Sequence, residues 1–332
     1  MQEIAELIWE NPHIFRIRIP LPSNPLKNVN VYVLRSQGQS LVIDTGFNRP
    51  ECREVLWEGM KELDLDLSDT VLYLTHFHAD HIGLVWDFVE RGVPVYMGRK
   101  EYEYYDILTS DRIVRELNSV FIKEGLPKEQ LMNHIAGRKT GSDVPKPGFP
   151  VIAVEDGQGL LIGDTIVQII EVPGHTPGNT VLYLPDEQIL FSGDHILFDI
   201  TPNISVWPKV PHSLSDYLTS LHKIRTLSVR RTFPAHREAG EGINARIEEL
   251  LGHHRSRLDE ICHTVEAHPG ITAYEAAGLI RWSMRGRAWE EVSEDQRWFA
   301  MSETLAHLYE LVKNGKLIRK EQGSRISYYR TR

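Results

Sequence analysis

In the first half of the chain, apolar residues come in short runs rich in β-branched and aromatic side chains: NVNVYVLRS from residue 28, QSLVIDTG from 39 and TVLYLTH from 70. Each run is bounded by Gly, Asn, Ser or Asp, which predicts strands. Among them the apolar spacing lengthens to that of helices, in PECREVLWEGMKELDL from residue 50 and in HIGLVWDFVERG from 81, which ends on a glycine suited to a helix C-terminus. The second half repeats the theme with PVIAVEDGQGLLIGDTIVQIIEVPGH, TVLYLPDEQILFSGDH and RRTFPAH. The pattern is α/β, and His or Asp recurs where strands end.

Residues 99–149 form a helical, Tyr-rich insertion, too long for a plain loop, that could wall or cover a site. Tyr102, Tyr104 and Tyr105 could line a substrate channel there or simply pack. From about residue 245 the character changes. NARIEELLGHHRSRLDEICHTVEA, TAYEAAGLIRW and QRWFAMSETLAHLYELVKNGKL read as three helices, and IRKEQGSRISYYR as a hairpin with a Gly-Ser turn, which is the order of a winged helix. We therefore expect a catalytic domain over 1–245 and a small winged-helix-like domain over 246–332.

With 332 residues the chain is long enough for such a second unit, because single cores stop growing near roughly 250–300 residues. A composition of 41% hydrophobic and 25% charged residues is that of an ordinary globular protein. No stretch has the roughly 18 apolar residues of a membrane span and the N-terminus lacks signal-peptide features, so a cytoplasmic location is expected. The two distant cysteines, Cys52 and Cys262, fit that reducing compartment and are not expected to pair. Of the net charge of −9, residues 251–332 contribute +2 and the rest −11, so the larger part does not suit a polyanion.

The stretch THFHADH, residues 75–81, carries the most chemistry. His76 and His78 lie two apart on an extended segment and so point the same way, while Asp80 and His81 fall in the turn that follows. Imidazole and carboxylate groups at this spacing suit divalent cations, which take about four ligands each, so further ligands must come from elsewhere. EVPGHTPGNT supplies His175, LFSGDHI supplies Asp194 and TFPAH supplies His236, each after a strand. Single histidines such as His13, His134, His212 and His222 are read as surface or capping residues.

This set of motifs, in this order and together with Asp44 in VIDTG, resembles the metallo-β-lactamase superfamily over residues 14–240. The resemblance implies a four-layer αβ/βα sandwich with two divalent metal ions at one edge, zinc first, with iron or manganese fitting the same ligands. It places His76, His78 and His175 on one ion, Asp80, His81 and His236 on the other, Asp194 between them, and Asp44 behind the ligands. Pro173, Gly174, Pro177 and Gly178 look like the turn that aims His175. The implied chemistry is hydrolysis by a water activated between the ions. Asp80 is a candidate proton shuttle, and His195 a catalytic candidate that could orient a ligand, donate a proton or face the pocket.

The aspartate at position 194 resembles the glyoxalase II-like branch, which cleaves thioesters and related acyl bonds, and makes β-lactam hydrolysis a poor expectation. The tail resembles that of a group including acyl-carrier thioesterases and single-strand-specific ribonucleases, and a mononuclear-iron persulfide dioxygenase would use the same histidines around one iron. The apolar segment ILFDITPNISVWPKV, with Trp207, suits a wall for a small acyl substrate. Nucleic acid is the less favoured partner. Lys313, Lys316, Arg319, Lys320, Arg325 and Arg330 stand beside Tyr328 and Tyr329, but the third tail helix is short of cations. A structural, lid or homodimer role for the tail fits better, and no membrane partner is expected.

Overall fold

The computed structural model describes residues 3–108, 110–133, 143–240, 242–282 and 287–331, so His134 and residues 134–142 of the 99–149 segment lie outside the described residues. The first of two central sheets has seven strands in chain order: β1 (Ala5–Trp9), β2 (His13–Pro20), β3 (Asn28–Ser36), β4 (Gln39–Ile43), β5 (Thr70–Leu74), β6 (Val95–Gly98) and β7 (Ile152–Val154). It is antiparallel up to β4 and parallel beyond it. The second sheet, ordered β12-β11-β10-β9-β8, comprises β8 (Gly159–Ile162), β9 (Thr165–Glu171), β10 (Thr180–Leu184), β11 (Ile189–Gly193) and β12 (Arg231–Pro234).

Side-chain alternation along these strands builds the layers. Val29, Val31 and Val33 of β3, Val42 of β4 and Leu72 and Leu74 of β5 face one core, shared with Cys52, Leu56 and Met60 of α1 (Pro50–Glu62). Their neighbours Tyr32, Leu34, Leu41, Ile43 and Tyr73 face the opposite way and meet Val167, Ile169, Leu182, Leu184, Phe191 and Phe233 of the second sheet. The other face of that sheet, with Ile170, Val181, Tyr183 and Leu190, packs on Leu214, Tyr217 and Leu221 of a later helix. Strands buried on both faces must be apolar at odd and even positions alike, which is why these runs are nearly continuous in sequence. Helix, sheet, sheet and helix form the four-layer sandwich.

On the first outer face, α1 is followed by α2 (Ala79–Ile82), α3 (Val85–Val89) and α4 (Arg99–Leu108), whereas α5 (Asp111–Lys123) turns Phe121 into the core of the second face. The single helix expected from residue 81 is split in two. A side chain at Gly83 would stand 2.4 Å from the Gly46 carbonyl oxygen, and this close approach of the 44–48 loop leaves only a bare backbone room between α2 and α3. On the second face lie α6 (Ser213–Arg225), α7 (Ile243–Ala267), α8 (Ala273–Leu279) and α9 (Glu294–Lys313), ending in the hairpin β13 (Leu317–Gln322)–β14 (Arg325–Arg330). One contiguous core joins Ile170 and Val172 of the second sheet's side to Ile247, Met301, Leu305 and Tyr328. The tail is thus packed onto the sandwich, and α7 begins before the expected boundary at 246.

At the tail interface, Glu124 is buried, accepting hydrogen bonds at 3.0 Å from Tyr328 Oη and at 3.2 Å from Arg319 Nε. Burial, opposed by Arg319 and Tyr328, pushes its carboxyl up to about 7. A folded-state acid that holds its proton more tightly than the unfolded chain stabilises the fold below about pH 4, and that contribution fades as pH rises to about 7. Relative to Glu124→Gln, the wild type should lose on the order of 1–3 kcal/mol more stability between about pH 4 and 8, read from urea unfolding at several pH values. Equal slopes would show that Glu124 is ionised throughout.

Candidate metal centre

All of the candidate ligands leave strands at one edge of the sandwich. His76 and His78 follow β5, with Asp80 and His81 on α2 immediately after. His175 lies in the turn after β9, Asp194 just past β11 and His236 just past β12. The two sheets are stitched together beneath them, where the Thr75 carbonyl accepts from Thr180 N at 3.1 Å and from its hydroxyl at 3.0 Å. Gly174 (φ 138°) carries the His175 turn against α6, where a Cβ would come within 2.4 Å of Tyr217 Cα.

These positions bring the candidate ligands into two groups, His76, His78, His175 and Asp194 in one and Asp80, His81 and His236 in the other, with the donor atoms of each group within 4.8 Å of one another. In the first, His78 Nδ1 stands 3.0 Å from both His76 Nε2 and His175 Nε2. Asp194 faces both groups: Oδ2 lies 3.5 Å from His175 Nε2, and Oδ1 lies 3.3 Å from His236 Nε2 and 3.7 Å from His81 Nε2. Asp80 Oδ2 is 3.4 Å from His236 Nε2.

The rings are fixed from behind. His81 Nδ1 donates to Asp44 Oδ2 at 2.8 Å, His236 Nδ1 to the Asn28 carbonyl at 2.8 Å and His175 Nδ1 to the Asn203 carbonyl at 2.9 Å. Each of these bonds places the proton on Nδ1 and leaves the Nε2 lone pair turned inward, the tautomer a ligand needs. Asp44 is itself held by Thr75 N at 2.8 Å and Thr75 Oγ1 at 2.8 Å, in a left-handed backbone conformation (φ 63°) that is uncommon for a residue other than glycine.

The electrostatics divide along the same line. Burial, aided by neighbouring histidines, pushes His76 well below its ordinary range and His78 down to about 3, and burial lowers His175 too, so these rings are neutral donors. In the second group burial is outweighed by Asp44, Asp80 and Asp194, which lift His81 to about 9, and by Asp194 and Asp80, which lift His236 well above its usual value. Against burial, His81 and His236 draw Asp80 down to about 2. Positive charge is demanded where these atoms meet. His81 Nε2, His236 Nε2 and Asp194 Oδ1 are buried without a hydrogen-bond partner. His81 and His236 turn Nε2 toward carboxylate oxygens that favour positive charge there, an arrangement in which a divalent cation can take the place of the ring protons.

His195 belongs to neither group. It is wholly buried, packs edge-on against Tyr217 with ring centroids 5.2 Å apart, and is driven down to about 3 by burial and then by His175. Beside His78 stands an aromatic wall: Trp207 lies 6.0 Å from its ring, 5.2 Å from Phe77 and 6.2 Å from Tyr104. Of the three insertion tyrosines, Tyr104 alone meets Trp207, whereas Tyr102 and Tyr105 pack on Phe149.

One further carboxylate shapes the site although no sequence motif contains it. Glu101, at the start of α4 and fully buried, accepts from Phe77 N at 2.9 Å and from Gly178 N at 2.8 Å. It thereby clamps the His76–His78 segment to the His175 turn. A Cβ at Gly178 would come 2.2 Å from Glu101 N, so this approach needs glycine. No local signal marks Glu101, because both partners are backbone groups distant in sequence.

Residues 24–236 match the family model described as metallo-beta-lactamase superfamily, and residues 290–332 match one described as metallo-beta-lactamase-like, C-terminal domain. The chain is 25% identical to a probable metallo-hydrolase of Bacillus subtilis, covering 96% of this chain and 98% of that one. It is 23% identical to an atrochrysone carboxyl ACP thioesterase of Emericella nidulans, covering 80% of this chain and 69% of the relative. A solved metallo-beta-lactamase family protein from Thermus thermophilus superposes with a TM-score of 0.80 at 26% identity, covering 96% of this chain and 98% of that one. With its four-layer fold, its two groups of inward donors and a family model spanning most of the sandwich, the chain belongs to the metallo-beta-lactamase superfamily of hydrolases.

Proposed function

We propose that this protein hydrolyses a thioester or related small acyl substrate, in the manner of the glyoxalase II-like branch, using two divalent ions, zinc before iron or manganese. The observation that carries this reading is Asp194, whose two oxygens face the two donor groups beneath an aromatic wall. Bound there, the ions would supply an acidified water and polarise the oxygen of the bond under attack. The chain would hold them through His76, His78 and His175 on one side and Asp80, His81 and His236 on the other, with Asp44 fixing His81. To Asp80 we assign the transfer of a proton to the leaving group. His195, buried against Tyr217, takes no direct part in the chemistry. Trp207, Phe77 and Tyr104 offer an acyl group an apolar face that keeps water away.

The thioesterase among the relatives supports the substrate class. The second donor group speaks against a one-iron persulfide dioxygenase. We read residues 1–245 as the catalytic unit and 246–332 as a winged-helix-like unit; 12 of the 20 residues of α9 are buried, which leaves little of that helix to read nucleic acid.

Metal-loaded protein offered a panel of acyl thioesters, a single-stranded RNA and glutathione persulfide should cleave a thioester. His76→Ala should lower that rate at least about 100-fold. RNA cleavage or persulfide oxidation that disappears in the variant, without thioester cleavage, would replace this reading.

A further inference from the structure

The backs of three ligand rings are held within the sandwich: His81 by Asp44, His236 by the Asn28 carbonyl, and His76 by Thr75 Oγ1 at 3.1 Å. His175 is held differently. Its Nδ1 donates to the carbonyl of Asn203, in the 201–206 stretch that has neither helix nor strand to fix its backbone. That backbone is anchored by side chains. Asn203 Nδ2 donates to Glu303 Oε2 at 3.0 Å, Asn203 Oδ1 accepts from Ser205 Oγ at 2.7 Å, and Trp207 Nε1 donates back to the His175 carbonyl at 3.1 Å.

Glu303 belongs to α9 of the tail, and it is buried. Its own position is over-determined, because its carbonyl accepts from His307 Nδ1 at 2.7 Å, His307 Nε2 meets His254 Nδ1 of α7 at 3.1 Å, and Met301 and Leu305 beside it lie in the shared core. A rigid helix of the C-terminal unit thus ends, two hydrogen bonds later, on one ligand ring and no other described ligand.

We propose that Glu303, acting through Asn203, is a positioning residue for His175, so that the C-terminal unit sets the first donor group of the metal centre. The inference rests on the two-ion reading above. Partners behind a ligand orient it and raise its basicity, and their loss weakens binding by about 10- to 100-fold. Lying one bond further back, Glu303 should act at the lower end of that range and on one site only.

The test is an equilibrium zinc titration of the full-length chain against a competing chelator. Glu303→Ala should weaken one of the two sites about tenfold and leave the other unchanged, and Glu303→Gln, whose amide oxygen still accepts from Asn203, should restore it to within about threefold. Asn203→Ala breaks the same bridge from the loop side and should show the same one-site loss, which covers a Glu303→Ala chain that fails to fold. Glu310→Ala removes another buried carboxylate of α9, bonded to Ser215 and Asn314 and not to Asn203, and should leave both sites intact. Two tight sites in both Glu303→Ala and Asn203→Ala, or equal weakening of both sites, would overturn the proposal. A wild type that fails to take up two ions would overturn the metal-centre reading itself, and the inference with it.

Discussion

Asp194→Ala is expected to abolish the paired site. Each oxygen of this carboxylate faces a different donor group, so on the two-ion proposal its loss removes a ligand atom from both and takes away the negative charge they share. His81 and His236 would then face only Asp80 and Asp44, leaving less negative charge to hold two cations side by side. We expect bound metal to fall from two ions per chain to one or fewer, and turnover to fall by about 10³-fold or more, equivalent to about 4 kcal/mol of transition-state stabilisation. Elemental analysis and initial rates on the same preparation check both halves. Asp194→Asn should fall between, because the amide keeps one acceptor but offers a donor to the other group. Two ions retained with a rate within about tenfold of wild type would mean that Asp194 does not lie between the sites.

Legibility in the sequence followed the distance between partners. His76, His78, Asp80 and His81 share seven residues, and strand periodicity and a turn place them in space, so their proximity could be read directly. His175, Asp194 and His236 are far apart in the chain and became legible because each ends an apolar run, where a strand delivers its next residue to the sheet edge. The opposed faces of β3, β4 and β5 could be read as strands, but which face met which layer is a matter of sheet pairing. β1 and β2 carry no such continuous apolar run. In HIFRIRIP the arginines interrupt the apolar pattern, and Arg16 is nevertheless buried, held by Glu6 at 2.7 Å and Glu238 at 2.8 Å. Glu238 lies 222 residues away, and no local pattern announces such a partner. The split between α2 and α3 was hidden for the same reason, since its cause is the backbone of Gly46 against Gly83. His195 sits beside a ligand in sequence, yet its ring belongs to the core around Tyr217.

Glu101 carries that logic to a second large effect. Its carboxylate holds two backbone N–H groups, one between the first pair of ligands and one just past His175, so a single side chain sets the separation of two segments that supply three of the converging nitrogens. Removing it strands both buried N–H groups, at about 1–3 kcal/mol each, so Glu101→Ala should lose about 2–6 kcal/mol of unfolding free energy. Glu101→Gln is nearly the same size and retains one acceptor, but turns an NH₂ toward the other N–H; it should lose about half as much. Denaturant unfolding of metal-free protein measures this cost apart from any metal effect. Metal-loaded turnover of Glu101→Gln should also fall, by about tenfold, because the loop spacing relaxes while every ligand remains. Were Glu101→Gln as stable and as active as the wild type, the clamp would be incidental packing, and the geometry of the first donor group would have to come from the strands alone.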